Sequence, residues 1–355
     1  VTRKREGTRA GGGAGGRGGA EGEGQADGAQ REGAQREGAQ REGAMAGEER
    51  PAVVVTGISG NLGRTLAKQL HRSERIIGID RRPFPGRPKD LEMYELDLRK
   101  KKAEDVFRRH RVRAVIHMGI MHDPRMSEEE HHSYNVLGTS RILEACAKYG
   151  VQKLVVLSSA NVYGPSPDNS NFLTEDAPLM AASRFPNVRD LIEVDMLAQG
   201  FFWKQPSVQT VILRPVHIVG PTIRNAPSHY LRLPRPWTVA GFDPMVQLIH
   251  VEDVARAMVE ALRPEPKGVY NVVGPGEVPL SAVLRELDRR PVAVPDLVAR
   301  PLLRTLFKYR LAGFPPPELD HLQFLCAVDG SRWRQETGWA PRFSMRETIR
   351  SVEAE

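Results

Sequence analysis

From Pro51 onward, short β-branched runs alternate with stretches whose apolar residues recur at helical spacing. The pattern predicts strands over Ala52–Val55, Arg75–Ile79, Met93–Leu96, Ala114–His117, Lys153–Leu157 and Val208–Leu213. Between them it predicts helices over Leu62–His71, Ala103–His110, Tyr134–Tyr149 and Leu191–Trp203. The strands are continuous apolar runs rather than alternating ones, the pattern of strands buried on both faces. Alternation with helices then implies an α/β fold, a Rossmann-type doubly wound parallel sheet. Beyond Pro215 the alternation breaks up into Pro-rich segments from Pro221 to Pro236, a strand at Val246–His250, a helix at Val251–Leu262 and a strand at Val269–Val273. The expected organisation is a core over residues 51–215 and, over 216–355, a small C-terminal substrate lobe above the sheet's carboxyl edge, with late strands returning to the sheet.

Ahead of Pro51 the pattern vanishes. Residues 1–44 are almost entirely Gly, Ala, Arg, Glu and Gln, with Gly-Ala-Gln-Arg-Glu read three times between Gly28 and Glu42. Such a segment cannot bury enough apolar surface to offset backbone ordering, roughly 1–2 kcal/mol per residue, so it reads as a disordered low-complexity tail. Met45 lies just before the first strand, which leads us to expect that residues 1–44 are absent from the working protein.

The net charge of +7 belongs mostly to the folded body. No zinc-finger or RNA-recognition pattern accompanies it, so nucleic acid is not expected as a partner. Two widely spaced cysteines, Cys146 and Cys326, suggest a reduced, cytoplasmic protein. No apolar run approaches the ~18 residues of a membrane span.

Chemistry enters at Val53-Val54-Val55-Thr56-Gly57-Ile58-Ser59-Gly60-Asn61-Leu62-Gly63, a strand, a glycine-rich turn and a helix start. Gly57 permits the tight turn, Gly60 lets a pyrophosphate approach the backbone, and Gly63 lets the helix pack on the strand. Asp80 closes the second strand at the spacing expected of a carboxylate that binds the adenosine ribose. It would repel a 2′-phosphate, which favours NAD; Arg81 and Arg82, directly after it, could cradle that phosphate and leave NADP as the alternative.

Thr-Gly-x-x-Gly-x-x-Gly at 56–63 resembles the signature of the extended short-chain dehydrogenase/reductase superfamily, the NAD-dependent epimerase/dehydratase family. Further markers follow in order: Asp97-Leu98, His117-Met118-Gly119, Asn135-Val136-Leu137-Gly138-Thr139, Leu157-Ser158-Ser159, Leu213-Arg214-Pro215, Ile249 to Ala255, and Asp329 to Pro341. The resemblance spans about Pro51 to the end. It implies cofactor contacts from Gly57, Ser59, Gly60, Asn61, Leu62, Gly63, Asp80, Arg81, Asp97, Leu98, Met118, Gly119, Asn135 and Ser158, and a substrate-orienting hydroxyl at Ser159. It also implies a homodimer through the helices at Tyr134–Tyr149 and Leu191–Trp203.

In this family a Tyr moves the hydroxyl proton, and a Lys four residues on lowers its pKa and holds the nicotinamide ribose. Alignment on Thr174 to Pro178 puts Asn187 at the Tyr position and Leu191 at the Lys position. Asparagine cannot act as a base near neutrality and leucine supplies no charge, so oxidoreductase chemistry is expected to be impaired or lost. Tyr149-Gly150-Val151-Gln152-Lys153 matches the pattern but precedes the strand carrying Ser159, and so is a decoy. Two alternatives stay open: an active epimerase or oxidoreductase on a sugar-like hydroxyl substrate, with Arg184, Arg189, Asp190 or His122 as substitute groups, and an NAD-responsive regulatory or partner-binding protein.

The substrate side is less informative. Arg224 and Arg232 in the Pro-rich lid are weak candidates for an anionic small-molecule ligand. Val246-Gln247-Leu248 replaces the family's Arg-containing diphosphate contact. The histidines around 117–132 suggest no metal site, since Ser127-Glu128-Glu129-Glu130 reads as a capped helix start. Leu297 to Leu311 is a basic amphipathic stretch, expected to pack on the lid or a second subunit in preference to a membrane surface.

Overall fold

The computed structural model describes residues 50–120, 127–183, 188–309 and 316–354. The tail at 1–44, His122, Arg184 and Asn187 fall outside the described residues. Seven parallel strands form the central sheet: β1 (Ala52–Thr56), β2 (Arg75–Asp80), β3 (Glu92–Glu95), β4 (Val112–His117), β5 (Lys153–Leu157), β6 (Gln209–Pro215) and, from the late part of the chain, β10 (Gly268–Val272). Their order is β10-β6-β5-β4-β1-β2-β3. All five β1 residues are buried, as a strand covered on both faces requires.

The strands' two faces feed two cores. Val53, Val55, Ala114, Ile116, Val155, Val211 and Leu213 point to one, where helices Asn61–Leu70 and Val251–Glu260 pack together. Ala52, Val54, Val115, Leu154, Val156 and Ile212 point to the other, under helices Lys102–Arg109, Gly138–Lys148 and Arg189–Lys204. Burying one leucine on such a face contributes about 1.5–3 kcal/mol, so Leu66 and Leu70, with Ala67 beside them, tie the first helix to the sheet. Strand order reverses between β1 and β4, which opens the crevice at their carboxyl ends.

Within residues 216–355, where the sequence predicts the lobe, lie β7 (His217–Val219), β8 (Trp237–Val239), β9 (Met245–His250), β11 (Glu277–Pro279) and β12 (Val292–Val294). They pair as β11-β9-β7 and β12-β8. Four of these are three residues long, too short to show periodicity in sequence. One expected helix is also divided. Tyr134–Tyr149 is a π turn at Ser133–Leu137 followed by an α-helix at Gly138–Lys148. Within the π turn the Asn135 carbonyl accepts a 2.6 Å hydrogen bond from Thr139 Oγ1; that side chain competes for a backbone acceptor, a device that disturbs regular helix.

Candidate active site

The glycine-rich turn is shaped by close approaches. Gly57 has φ +73, and a Cβ there would lie 2.8 Å from the Met118 carbonyl oxygen. A Cβ at Gly63 would lie 2.6 Å from Gly57 O and from Ile58 Cα, so this position brings helix and turn into contact. Gly60 is the N-cap of the Asn61–Leu70 helix and brings no side chain to its amides. The first-turn N–H groups of Asn61, Leu62 and Gly63 are therefore left for an anion, with the positive end of the helix dipole behind them. Asn61 itself donates from Nδ2 to the Thr222 carbonyl, which links turn and lobe.

Asp80 is buried at the end of β2 and braces this turn. Its Oδ2 accepts from Ser59 N at 3.0 Å and its Oδ1 from Arg82 N at 3.0 Å. Ser59 Oγ donates to Arg82 O at 2.8 Å. Arg82 Nε also approaches Oδ1, at 3.5 Å, so it is Oδ2 that keeps a further lone pair for a diol such as a ribose. The cradle therefore fits a dinucleotide: anion-seeking amides, no Cβ in the way, and an acid one strand over. Arg81 stacks on Tyr134, 4.6 Å from its ring centre, and Arg99 lies over the same ring at 5.8 Å. Asp97 is held by Arg99 through Nε and Nη2. Burial favours its neutral form, but these hydrogen bonds outweigh that and keep its carboxyl below the usual range. Leu98 is buried beneath Gly119, where an added Cβ would lie 2.8 Å from Leu98 Cδ1.

His117 ends β4 beside Thr56 of β1. Thr139 Oγ1 donates to Asn135 O, so it accepts from His117 Nε2 at 2.9 Å. His117 Nδ1 then accepts from Thr56 Oγ1 at 2.7 Å, whose lone pairs take the amides of Met118 and Gly119, both at 3.2 Å. Every polar atom is matched with a neutral imidazole, and burial pushes its pKa down to about 4. Met118, Gly119 and Asn135 are thus fixed around one histidine.

Ser158 and Ser159 follow β5. Ser159 caps the 3₁₀ turn at Ala160–Val162, its Oγ accepting from Asn161 N at 3.1 Å. Ser158 Oγ donates to Asp195 Oδ2 at 2.6 Å. Asp195, fully buried on helix Arg189–Lys204, also receives Arg214 through Nε at 2.9 Å and Nη2 at 2.6 Å, and Gln199 Nε2 at 2.7 Å. Arg214 Nη1 reaches Tyr163 Oη at 2.8 Å, and Tyr163 donates to Asn271 Oδ1 at 2.8 Å. Tyr163 is buried in this chain of bonds, and burial raises its pKa. Sequence reasoning did not find Asp195, Asn271 or the role of Tyr163.

The Asp195–Ser158 bond fixes the register of this helix against the end of β5. Leu191 lies four residues earlier, one turn toward the sheet's carboxyl edge, buried in the same core cluster as Ala160, Val162 and Ile192. Asp190 is instead paired with His132, Nδ1 to Oδ1 at 3.2 Å, with Glu193 Oε2 at 3.6 Å. The decoy pair lies elsewhere. Tyr149 Oη donates to Glu104 at 3.0 Å, and Lys153, at the opposite end of β5 from Ser158, donates to the Pro266 carbonyl.

In the lobe, Arg224 and Arg232 are engaged by backbone. Arg224 Nη1 donates to Pro221 O and Ile223 O, and Arg232 Nη1 to Ile223 O at 2.9 Å. Gln247 is buried and exchanges two hydrogen bonds with the Val328 backbone. His217 and His321, which no sequence signal singled out, meet edge to face with ring centres 5.9 Å apart. Desolvation pushes the first down to about 4 and the second, also beside His217, to about 3.

A family model described as the NAD dependent epimerase/dehydratase family matches residues 53–273. An uncharacterised protein of Mycobacterium tuberculosis is 26% identical over 309 residues, covering 84% of this chain and 82% of its own. UDP-glucose 4-epimerase of Bacillus subtilis is 36% identical over 137 residues, covering 38% of this chain and 37% of its own. Among solved structures, MoeE5 in complex with UDP-glucuronic acid and NAD superposes with a TM-score of 0.67 at 22% identity, covering 85% of this chain and 98% of that one. The Thermus thermophilus UDP-glucose 4-epimerase complex with NAD gives 0.65 at 23% identity, covering 85% and 98%.

Proposed function

Because the chain belongs to the NAD-dependent epimerase/dehydratase family, we propose that it holds NAD over the carboxyl ends of β1, β2 and β4 while its own oxidoreductase chemistry is strongly reduced or lost. The observation that carries this reading is the buried Leu191, one helical turn from Asp195, where the family's lysine is expected. A nicotinamide bound there would supply hydride transfer. The chain's own residues do the rest: the amides after Gly60 take phosphate, Asp80 takes the ribose diol, and Ser159 presents a hydroxyl to a ligand oxygen. Leucine offers no charge to lower a neighbouring pKa and no hydrogen bond to a ribose. The negative charge of Asp80 disfavours a 2′-phosphate, so NAD is the cofactor rather than NADP. An active enzyme with a substitute base is the second reading, favoured by the His132–Asp190 pair beside Leu191. We also infer a homodimer through helices Gly138–Lys148 and Arg189–Lys204, on which or beside which Leu137, Met196 and Trp203 are exposed.

Calorimetric titration with each dinucleotide tests the cofactor reading. NAD should bind at least about tenfold more tightly than NADP, a difference of ~1.4 kcal/mol. Gly63→Ala should abolish binding, because its Cβ would overlap Gly57 O and Ile58 Cα. Asp80→Ala should weaken NAD and narrow the preference. Absence of NAD binding to the wild-type chain would remove the proposal.

A further inference from the structure

The sequence predicts that the helix Asp296–Lys308 packs on the lid or on a second subunit, and one side of it is covered within this chain: Ala299 and Leu303 are buried with Val239 of β8 and Leu319. The remaining surface is unusually apolar for an outward-facing helix. Leu297 is 90% exposed, and Val298, Leu302, Phe307 and Tyr309 are exposed as well. Val298 and Leu302 are one turn apart and so line a single flank. Val292 of β12, the strand that leads into this helix, is also exposed.

Basic residues outnumber acidic ones along this stretch of sequence. Between Arg289 and Leu311 the chain carries six basic residues (Arg289, Arg290, Arg300, Arg304, Lys308, Arg310) and one acid, Asp296. That acid pairs with Arg300 Nε at 2.9 Å, Arg300 Nη2 also meets Asp320 at 2.8 Å, and Arg289 meets Glu353 at 2.6 Å, so among the described side chains the positive charge of this surface rests on Arg290 and Arg304. Arg290 and Arg304 are exposed. Among the described residues no helix is long and apolar enough to cross a membrane. Exposed leucine, valine and aromatic side chains interleaved with unneutralised arginines instead match a surface that lies on anionic headgroups, burying its apolar side chains at the acyl boundary while the guanidiniums meet phosphate. A second copy of this chain would set this cationic face against an identical one, a like-charge contact that disfavours self-association.

We propose that the exposed flank of helix Asp296–Lys308, with β12 beside it, docks this protein on anionic lipid bilayers. The docking is peripheral and independent of the dinucleotide site.

Flotation of the full chain with vesicles of phosphatidylcholine alone, or with phosphatidylglycerol added, tests it. Binding is expected only to the anionic vesicles, and it should weaken as salt screens the arginines. Val298→Asp with Leu302→Asp should abolish it, and Arg304→Glu should reduce it roughly tenfold. These residues are exposed, so all variants should keep the wild-type melting temperature and NAD affinity. Failure of the wild-type chain to float, or equal flotation of the Asp variants, overturns the proposal. Light scattering that shows a wild-type oligomer converted to monomer by the same substitutions, without vesicle binding, assigns the surface to a second copy and likewise overturns it.

Discussion

Replacing Asp195 by Ala should lower folding stability by about 3–5 kcal/mol, the penalty for stranding one partner of a buried ion pair. Arg214 is 1% exposed and has no water to turn to. After the substitution it keeps only Tyr163 Oη and the Glu175 carbonyl, and Ser158 Oγ loses its acceptor. Gln199 is only part-buried and can turn to solvent. The effect should be strongly non-additive. Asp195→Leu combined with Arg214→Met should cost far less than the two single losses summed, because no unpaired charge remains. Urea denaturation of the wild type, Asp195→Leu, Arg214→Met and the double variant measures this directly. A single loss under about 1 kcal/mol, or simple additivity, would mean that the network is not the rigid brace between β5, β6 and the Arg189–Lys204 helix that its geometry describes.

Acid should destabilise the fold through its buried imidazoles. His117 and His217 have folded pKa values near 4 and His321 near 3, all below the ordinary 6.5. The unfolded chain therefore binds protons that the folded chain refuses, so stability is fully present above about pH 6.5 and is lost as pH falls toward 4. Each such group removes up to ~1.4 kcal/mol per pH unit in that window. For His117 burial is the cause, and the geometry agrees with it: a proton on Nδ1 would point at Thr56 Oγ1, whose lone pairs already receive Met118 N and Gly119 N. Urea midpoints between about pH 7 and about pH 5 should fall steeply for the wild-type chain, and less steeply for His117→Gln, which has no proton to gain. Equal slopes in the two proteins would refute the assignment.

Much of the cofactor half of the site is written locally. Gly57, Gly60 and Gly63 lie within seven residues, and the conformation they demand is a property of that stretch alone. The strands were legible for the same reason, since a run buried on both faces needs apolar residues throughout. What escaped was set by partners distant in sequence. Arg214 ends the apolar run Thr210-Val211-Ile212-Leu213, and a charge inside a buried strand demands a counter-charge. Asp195 stands on the apolar face of Leu191-Ile192-Glu193-Val194-Asp195, which was the matching signal; only the fold shows that the two meet. His217 and His321 are 104 residues apart (321 − 217) in segments without periodicity, so nothing local announces their contact. The helix at Asp296–Lys308 was visible in sequence, but which of its leucines would be covered depends on β8 and Leu319. The π turn at Ser133–Leu137 keeps the apolar spacing of an ordinary helix, so periodicity could not distinguish it.

The claim that the crevice keeps its cofactor but has lost its proton-handling pair comes down to Leu191 and its neighbour one turn earlier in the chain, Asn187. The most direct test is to saturate the wild-type protein and Asn187→Tyr/Leu191→Lys with NAD, add a panel of nucleotide sugars, and follow the nicotinamide absorbance. The wild-type trace should stay flat while NAD remains bound, and the double variant should gain a slow rise with at least one of them. A rise in the wild-type trace, absent or unchanged in the variant, would show that another group moves the proton and would contradict the account.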